Sequence, residues 1–148
     1  MKRIAILLLL IIFVSGCIAS NSEKHDGFYV SKVIDGDTFV ISTGEHIRLQ
    51  GIDAPDKNDY YYDEATQRLK ELIEFQYVTL ERDNTNKDRY GRLLRYVYLG
   101  NKMIDAQMLE EGYATIFIFE ADKKYEKVLT YAENYAKNNH LGLWNNVN

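Results

Sequence analysis

Apolar and polar positions alternate along the chain from residue 28. The runs "FYVSKVI" (28–34) and "DTFVIST" (37–43) are rich in β-branched and aromatic residues, the composition of strands. Asp35-Gly36 lies between them, a hairpin signal whose turn calls for a positive φ. Thr43-Gly44 then turns the chain into a third run, "EHIRLQGI" (45–52). Ile47 and Leu49 share one face of that run, while His46, Arg48 and Gln50 share the other. Arg48 is therefore expected to point away from the side that buries the two aliphatic residues. Counting through the turn at 43–44 sets residue 37 opposite about residue 50.

After Pro55 the period changes. Ala65, Leu69, Leu72 and Ile73 recur at helical spacing and predict a helix over residues 63–76. "YVTLE" (77–81) and "RLLRYVYLG" (92–100) predict two more strands, separated by the polar loop "RDNTNKDRYG". Ile104 and Met108 mark a short helix over 102–111, and "GYATIFIF" (112–119) fits either a strand or a buried loop. Tyr125, Val128, Leu129, Ala132, Tyr135 and Ala136 form the stripe of a helix over 122–138. Five strands in the order β-β-β-α-β-β-α-α predict an α+β domain: a five-stranded Greek-key barrel of the OB type carrying three helices.

The first sixteen residues stand apart. Lys2 and Arg3 precede the apolar run "IAILLLLIIFV", which is too short for a typical spanning helix, and "VSGC" ends it at the only cysteine, Cys17. That pattern resembles a bacterial lipoprotein signal over residues 1–16, in which Cys17 becomes the lipidated first residue; the alternative is an uncleaved anchor. Either places the domain outside the cytoplasm, tethered to a membrane. Residues 17–27 then comprise the lipidated cysteine and a polar tether, and residues 28–148 the domain. With its one thiol lipidated, the chain has no disulfide.

Charge argues against a polyanionic ligand. Without residues 1–16 the chain has 16 basic residues against 22 acidic, a net −6. The distribution softens that objection. Arg82, Lys87, Arg89, Arg92 and Arg95 outnumber Asp83 and Asp88 within residues 82–95, a local +3.

Candidate chemistry centres on Asp37, Asp53 and Asp56. "DGDT" alone reads as a hairpin turn and "DAPD" alone as the approach to a helix. Brought to one barrel edge, Asp37 and Asp53 would repel unless a cation lay between them, and hard oxygen donors without cysteine or paired histidine favour Ca²⁺ over zinc. Pro55 would fix the turn that aims Asp53 and the Ala54 carbonyl. Arg48 and Arg92 add two planar forks suited to phosphate oxygens. A divalent ion, two arginines and a spare carboxylate at Asp56 are parts for phosphodiester hydrolysis.

In this order "VIDGDTF", "IRLQGIDAPD", "DEA", "DRYGRLLRYVY" and "LGLW" resemble the motifs of the staphylococcal-nuclease-like (thermonuclease) family over roughly residues 27–145. The resemblance implies an OB-fold barrel and Ca²⁺-dependent cleavage of DNA and RNA, with single strands favoured and the protein acting as a monomer. It implies that Asp37, Asp53 and the carbonyl of Ala54 bind calcium, that Arg48 and Arg92 contact the scissile phosphate, and that Tyr90 contacts a substrate phosphate. Arg89 takes a position often held by lysine.

Two departures matter. The family's general base is a glutamate directly after the proline, where this chain has Asp56. The loss of one methylene withdraws the carboxylate by about 1.5 Å. Near residues 117–119, where relatives place a stacking tyrosine, Phe117 and Phe119 stand as core or as stacking rings. Tyr60, Tyr61 and Tyr62 could offer a base platform or pack on the barrel. The competing reading is a non-catalytic OB-fold binding module on the cell surface, which the acidic surface and the shortened carboxylate both favour.

Overall fold

The computed structural model describes residues 27–145. Cys17, where the sequence leads one to expect lipidation, and the signal-like segment before it lie outside the described residues. Five strands form the barrel: β1 (Phe28–Val33), β2 (Thr38–Ile41), β3 (His46–Leu49), β5 (Tyr77–Glu81) and β6 (Leu93–Leu99). Neighbouring strands pair antiparallel from β3 through β2, β1 and β5 to β6, and β3 then pairs parallel with β6 to close the ring. Closure leaves no free edge among these five. The predicted mixed α+β barrel of OB type is present, with helices α1 (Tyr62–Ile73), α2 (Ile104–Glu110) and α3 (Glu126–Asn138). Short strands β4 (Ile52–Asp53), β7 (Lys102–Met103) and β8 (Thr115–Ile116) complete the element order.

Each helix buries its apolar stripe. Ala65, Leu69 and Ile73 of α1 are fully buried, and Ile104, Met108 and Leu109 of α2 likewise. In α3 only Leu129, Ala132 and Ala136 face the core; Val128 and Tyr135, placed on the stripe by their spacing, are exposed. The buried arc is narrower than the apolar spacing because α3 packs on α2 and β8 at one flank of the barrel. Phe39, Ile47, Leu49 and Tyr96 fill the barrel interior, all fully buried. Truncating one such side chain to alanine costs about 2–5 kcal/mol.

Three local details correct the sequence reading. The β1–β2 hairpin forms where expected, but Gly36 does not have a positive φ. A Cβ there would sit 2.7 Å from the Cβ of Ala54 and 2.9 Å from that of Ala65. Glycine thus lets the hairpin loop press against the 53–56 turn and α1. The β2–β3 register pairs Thr38 with Arg48, and the amide of Leu49 donates to the carbonyl of Asp37 at 2.8 Å. Residue 37 therefore faces residue 49 and not 50. A three-residue loop over 42–44, ending in Gly44 at φ 94°, sets this register.

The third run is interrupted. Gly51 at φ 79° kinks it, because any Cβ would stand 2.5 Å from Leu129 of α3. Beyond the kink, β4 leaves the barrel and pairs with β8, so part of the ambiguous 112–119 stretch is strand. This pairing places Asp53 and the Pro55 turn beside residues 115–119, on the wall of a cleft.

Candidate active site

Asp37 ends the β1–β2 loop and is 6% exposed. Its Oδ1 accepts from the Thr38 hydroxyl at 2.9 Å, and its Oδ2 accepts from the amide of Ala54 at 2.9 Å. The Nη2 of Arg48 lies 2.9 Å from Oδ2 of Asp37 and 2.7 Å from Oδ1 of Asp53. One guanidinium nitrogen thus joins the two carboxylates that the sequence singled out. The other, Nη1, donates to the carbonyls of Leu49 and Ile52 at 2.6 and 2.7 Å.

Arg48 does point away from the side that holds Ile47 and Leu49, but that direction is buried too. It is 7% exposed and Gln50 is 1% exposed. Past the exposed His46 this run is covered on both faces, so Arg48 and Gln50 line an interior wall instead of meeting water. Burial raises the Asp37 carboxyl to about 6; Arg48 opposes the rise, and the neighbouring Asp35 adds to it.

Arg92 arrives from another direction. It immediately precedes β6 rather than beginning it. Its Nε donates to Oδ2 of Asp88 at 2.6 Å, and its Nη1 donates to the Thr38 hydroxyl at 2.9 Å. The Thr38 hydroxyl therefore links Arg92 to Asp37. Asp88 also accepts the amides of Tyr90 and Arg92 at 2.9 and 3.0 Å, closing a turn completed by Gly91 at φ 84°. Burial acts to raise the Asp88 carboxyl, but the bonds from Arg92 and the turn amides outweigh it and hold it below the usual carboxylate range. Neither Thr38 nor Asp88 was singled out from sequence. An aspartate two residues before a tyrosine amide and four before an arginine is the signal that marks Asp88.

Above this floor opens a cleft of about 550 Å³, lined by Arg48, Asp53, Asp56, Arg89, Tyr90 and Arg92 among others. Asp56 is exposed, and among the described residues its carboxylate has no partner. Tyr90 is 68% exposed, with the guanidinium carbons of Arg89 and Arg92 at 4.8 and 5.4 Å from its ring centroid. Phe117 and Phe119 also line the cleft, edge to face at 5.1 Å and half exposed. They are not core residues, because the β4–β8 pairing carries them past the end of the sheet. Ile118, between them, packs against the core instead. The tyrosine run lies elsewhere: Tyr61 stacks on Tyr113 at 5.5 Å, and none of Tyr60, Tyr61 or Tyr62 lines the cleft. A second groove, of about 640 Å³, shares Lys87, Tyr90 and Arg92 with the first and continues toward Glu45 and His46.

The geometry unites Arg48, Asp37, Asp53 and Ala54 at one floor, joins the half-buried Arg92 to its margin through Thr38, and places Asp56, Arg89 and Tyr90 on the rim. Residues 46–146 match the family model described as "Staphylococcal nuclease homologue". The chain belongs to the staphylococcal nuclease family. Asp37 precedes the matched segment, but the alignments with individual relatives span more of the chain. A thermonuclease of Staphylococcus intermedius is 32% identical over 135 residues, 85% of this chain and 80% of the relative. A thermonuclease of Staphylococcus hyicus is 32% identical over 136 residues, covering 86% and 80%. Endonuclease YncB of Bacillus subtilis is 32% identical over 137 residues, covering 85% of this chain and 65% of the relative. This chain is thus a homologue within an enzyme family of thermonucleases and endonucleases.

Proposed function

We propose that the protein is a Ca²⁺-dependent nuclease that hydrolyses phosphodiester bonds of DNA and RNA, single strands preferentially. The observation that carries this reading is the approach of two arginines, from β3 and from the turn before β6, to the same Asp37–Thr38 pair.

The residues at the floor fit a hard divalent cation. Asp37 and Asp53 supply carboxylate oxygens and Ala54 a carbonyl. Burial raises the Asp37 carboxyl to about 6 and Arg48 opposes the rise, so a divalent cation at its oxygens would likewise favour the ionised form. Among the described residues no three of His, Cys, Asp and Glu cluster as a metal site, so backbone oxygen, and substrate oxygen where present, would complete the set. When bound, calcium supplies a Lewis acid for a phosphoryl oxygen.

The chain's own groups do the rest. Thr38 and Asp88 hold the Arg92 fork in place, so it can stabilise the charge that builds on the phosphate. Arg48 adds a second positive charge from the floor, where Asp37, Asp53 and the carbonyls of Leu49 and Ile52 hold its two Nη nitrogens. Asp56, unpaired and on the rim, is placed to take a proton from water. Tyr90 and Arg89 hold a flanking phosphate, and Phe117 and Phe119 offer rings on which a base can stack. The protein works as a monomer outside the cytoplasm, held to a membrane through lipid on Cys17; the signal-like segment before that cysteine supports this location.

The test is digestion of plasmid and of single-stranded DNA by the chain from residue 18 onward, with Ca²⁺ and then with chelator. Calcium-dependent loss of substrate, abolished in Arg92→Ala, is expected. Binding of single strands without cleavage would make the protein a binding module and refute the enzyme.

A further inference from the structure

Three aromatic residues, Tyr29, Phe75 and Tyr77, gather where the chain enters the domain, and the cleft uses none of them. Phe28 opens β1 and pairs with the buried Val78, so it lies on the other face of the strand. Tyr29 pairs across the strands with Tyr77, their rings 5.2 Å apart. Phe75 follows the end of α1, and its amide donates to the carbonyl of Val30 in β1 at 3.0 Å.

Phe75 is the anomaly. It adopts φ 62°, the left-handed conformation that glycine or asparagine takes just past a helix end. Folding alone favours one of those residues there. The ring is 61% exposed, so little packing offsets the strain. The adjacent Glu74 carboxylate turns inward and accepts the amide of Val33 at 2.9 Å, which keeps its charge off this face. A strained backbone carrying an exposed aromatic ring marks a surface that meets something else.

We propose that Tyr29, Phe75 and Tyr77 form the face on which the domain rests against the bilayer that holds its anchor. The inference rests on the anchoring proposed above. Only ten residues separate Cys17 from Phe28, and a chain of that length reaches at most about 36 Å. The aromatic face therefore stays within reach of the headgroups at all times. Phenylalanine and tyrosine rings partition to that boundary region, where the apolar ring is buried and the phenol stays wet. Charge does not provide the attraction. The chain from Cys17 onward carries a net −6, which anionic headgroups repel, so the attraction is aromatic. None of the three residues in this contact lines the cleft.

The test uses the full chain reconstituted through its N-terminal segment into phosphatidylcholine vesicles, with and without brominated acyl chains. Phe75→Trp places an indole on the face, and Tyr131→Trp places a control on the exposed side of α3, where Tyr131 is 73% exposed. The parent's Trp144 signal is subtracted. The Phe75→Trp emission is expected to shift to the blue and to be quenched several-fold more than the control. A blue-shifted but unquenched indole would mean that protein, a second copy or the chain's own leader, covers the face, and would overturn the proposal. An indole that stays water-like, or equal quenching at both positions, would overturn it as well. A chain that does not associate with vesicles would remove the anchor and this face together. None of these readouts involves nucleic acid, so failure of the nuclease reading would show separately.

Discussion

The floor and the rim of the cleft are built on opposite terms. On the floor every charged group is committed: Arg48 holds two carboxylates and two carbonyls, and Asp37 holds a hydroxyl, an amide and a guanidinium. On the rim, Asp56 touches no partner among the described residues, and the Arg89 guanidinium bonds only to the neighbouring Tyr90 hydroxyl. Buried charges must be paired or they unfold the protein, whereas exposed ones keep their valence for a ligand. Changes on the floor should therefore alter stability and activity together, and changes on the rim activity alone.

The largest effect should come from the floor. Arg48→Ala leaves a buried carboxylate without its cation, at a cost of up to about 3–5 kcal/mol. Protonation of Asp37 limits that loss. A carboxyl whose folded pKa is raised contributes stability that is full at low pH and is lost as pH rises through the folded value, here about 6. Losing Arg48 raises that value further. The variant's melting temperature should thus approach the parent's on acidification below about 6 and fall away above it. A pH-independent gap in thermal melts would show that Arg48 does not neutralise Asp37. Arg92→Ala, on a half-buried partner of Asp88, should instead cost on the order of 100-fold to 1,000-fold in cleavage with less than about 1 kcal/mol in stability.

Asp56 sharpens the contrast, since its replacement should improve the enzyme. Asp56→Glu restores one methylene, and a displacement of about 1 Å can cost on the order of 100-fold in rate. Turnover should rise by up to about that factor, with the melting temperature unchanged because the carboxylate is exposed and has no hydrogen-bond or ion-pair partner among the described residues. Single-turnover cleavage of an oligonucleotide measures it; an unchanged rate would remove Asp56 as the base.

The same contrast separates what sequence could reveal from what it could not. Asp37, Asp53, Arg48 and Arg92 were legible because each sits at a fixed offset from a glycine, a proline or a strand run. The barrel was legible because five short runs carry strand composition. Thr38 and Asp88 escaped notice because their work is to hold other side chains, and that requires knowing that residues 54 positions apart meet. Burial of the polar face of β3 escaped for a related reason: alternation reports two faces but not that the second is covered by a turn closing over it. Gly36 has its role from contact with Ala54 and Ala65, whereas a local reading assigns it to turn geometry.

Beneath the floor lies a buried carboxyl that offers a third, smaller test. Asp105 is fully buried; burial lifts it to about 8, opposed by hydrogen bonds that include one from the amide of Val97 at 2.8 Å. Its Oδ1, like both amide atoms of the nearby Gln50, is buried without a partner among the described residues. Because its folded pKa lies above the unfolded one, Asp105 weakens folding progressively as pH climbs from about 4 to about 8. An asparagine can still accept the Val97 amide but cannot ionise. Asp105→Asn should therefore flatten that decline, by a few kcal/mol across the range, as read from denaturant midpoints at pH 5 and pH 9. A variant whose decline matches the parent's would place the titration elsewhere.

The smallest change belongs to the outermost rim. Arg89 is exposed and tied only to Tyr90, so a phosphate loses little by losing it. Arg89→Ala should raise KM a few-fold, leave kcat within about two-fold, and lower the salt slope of single-strand binding by about 1. A matching fall in kcat would mean that the arginine reaches the reacting phosphate. Arg89 would then belong with Arg92, among the groups that act on the reacting phosphate. The mean position of a charge in the cleft would matter less than whether the protein has already bound it.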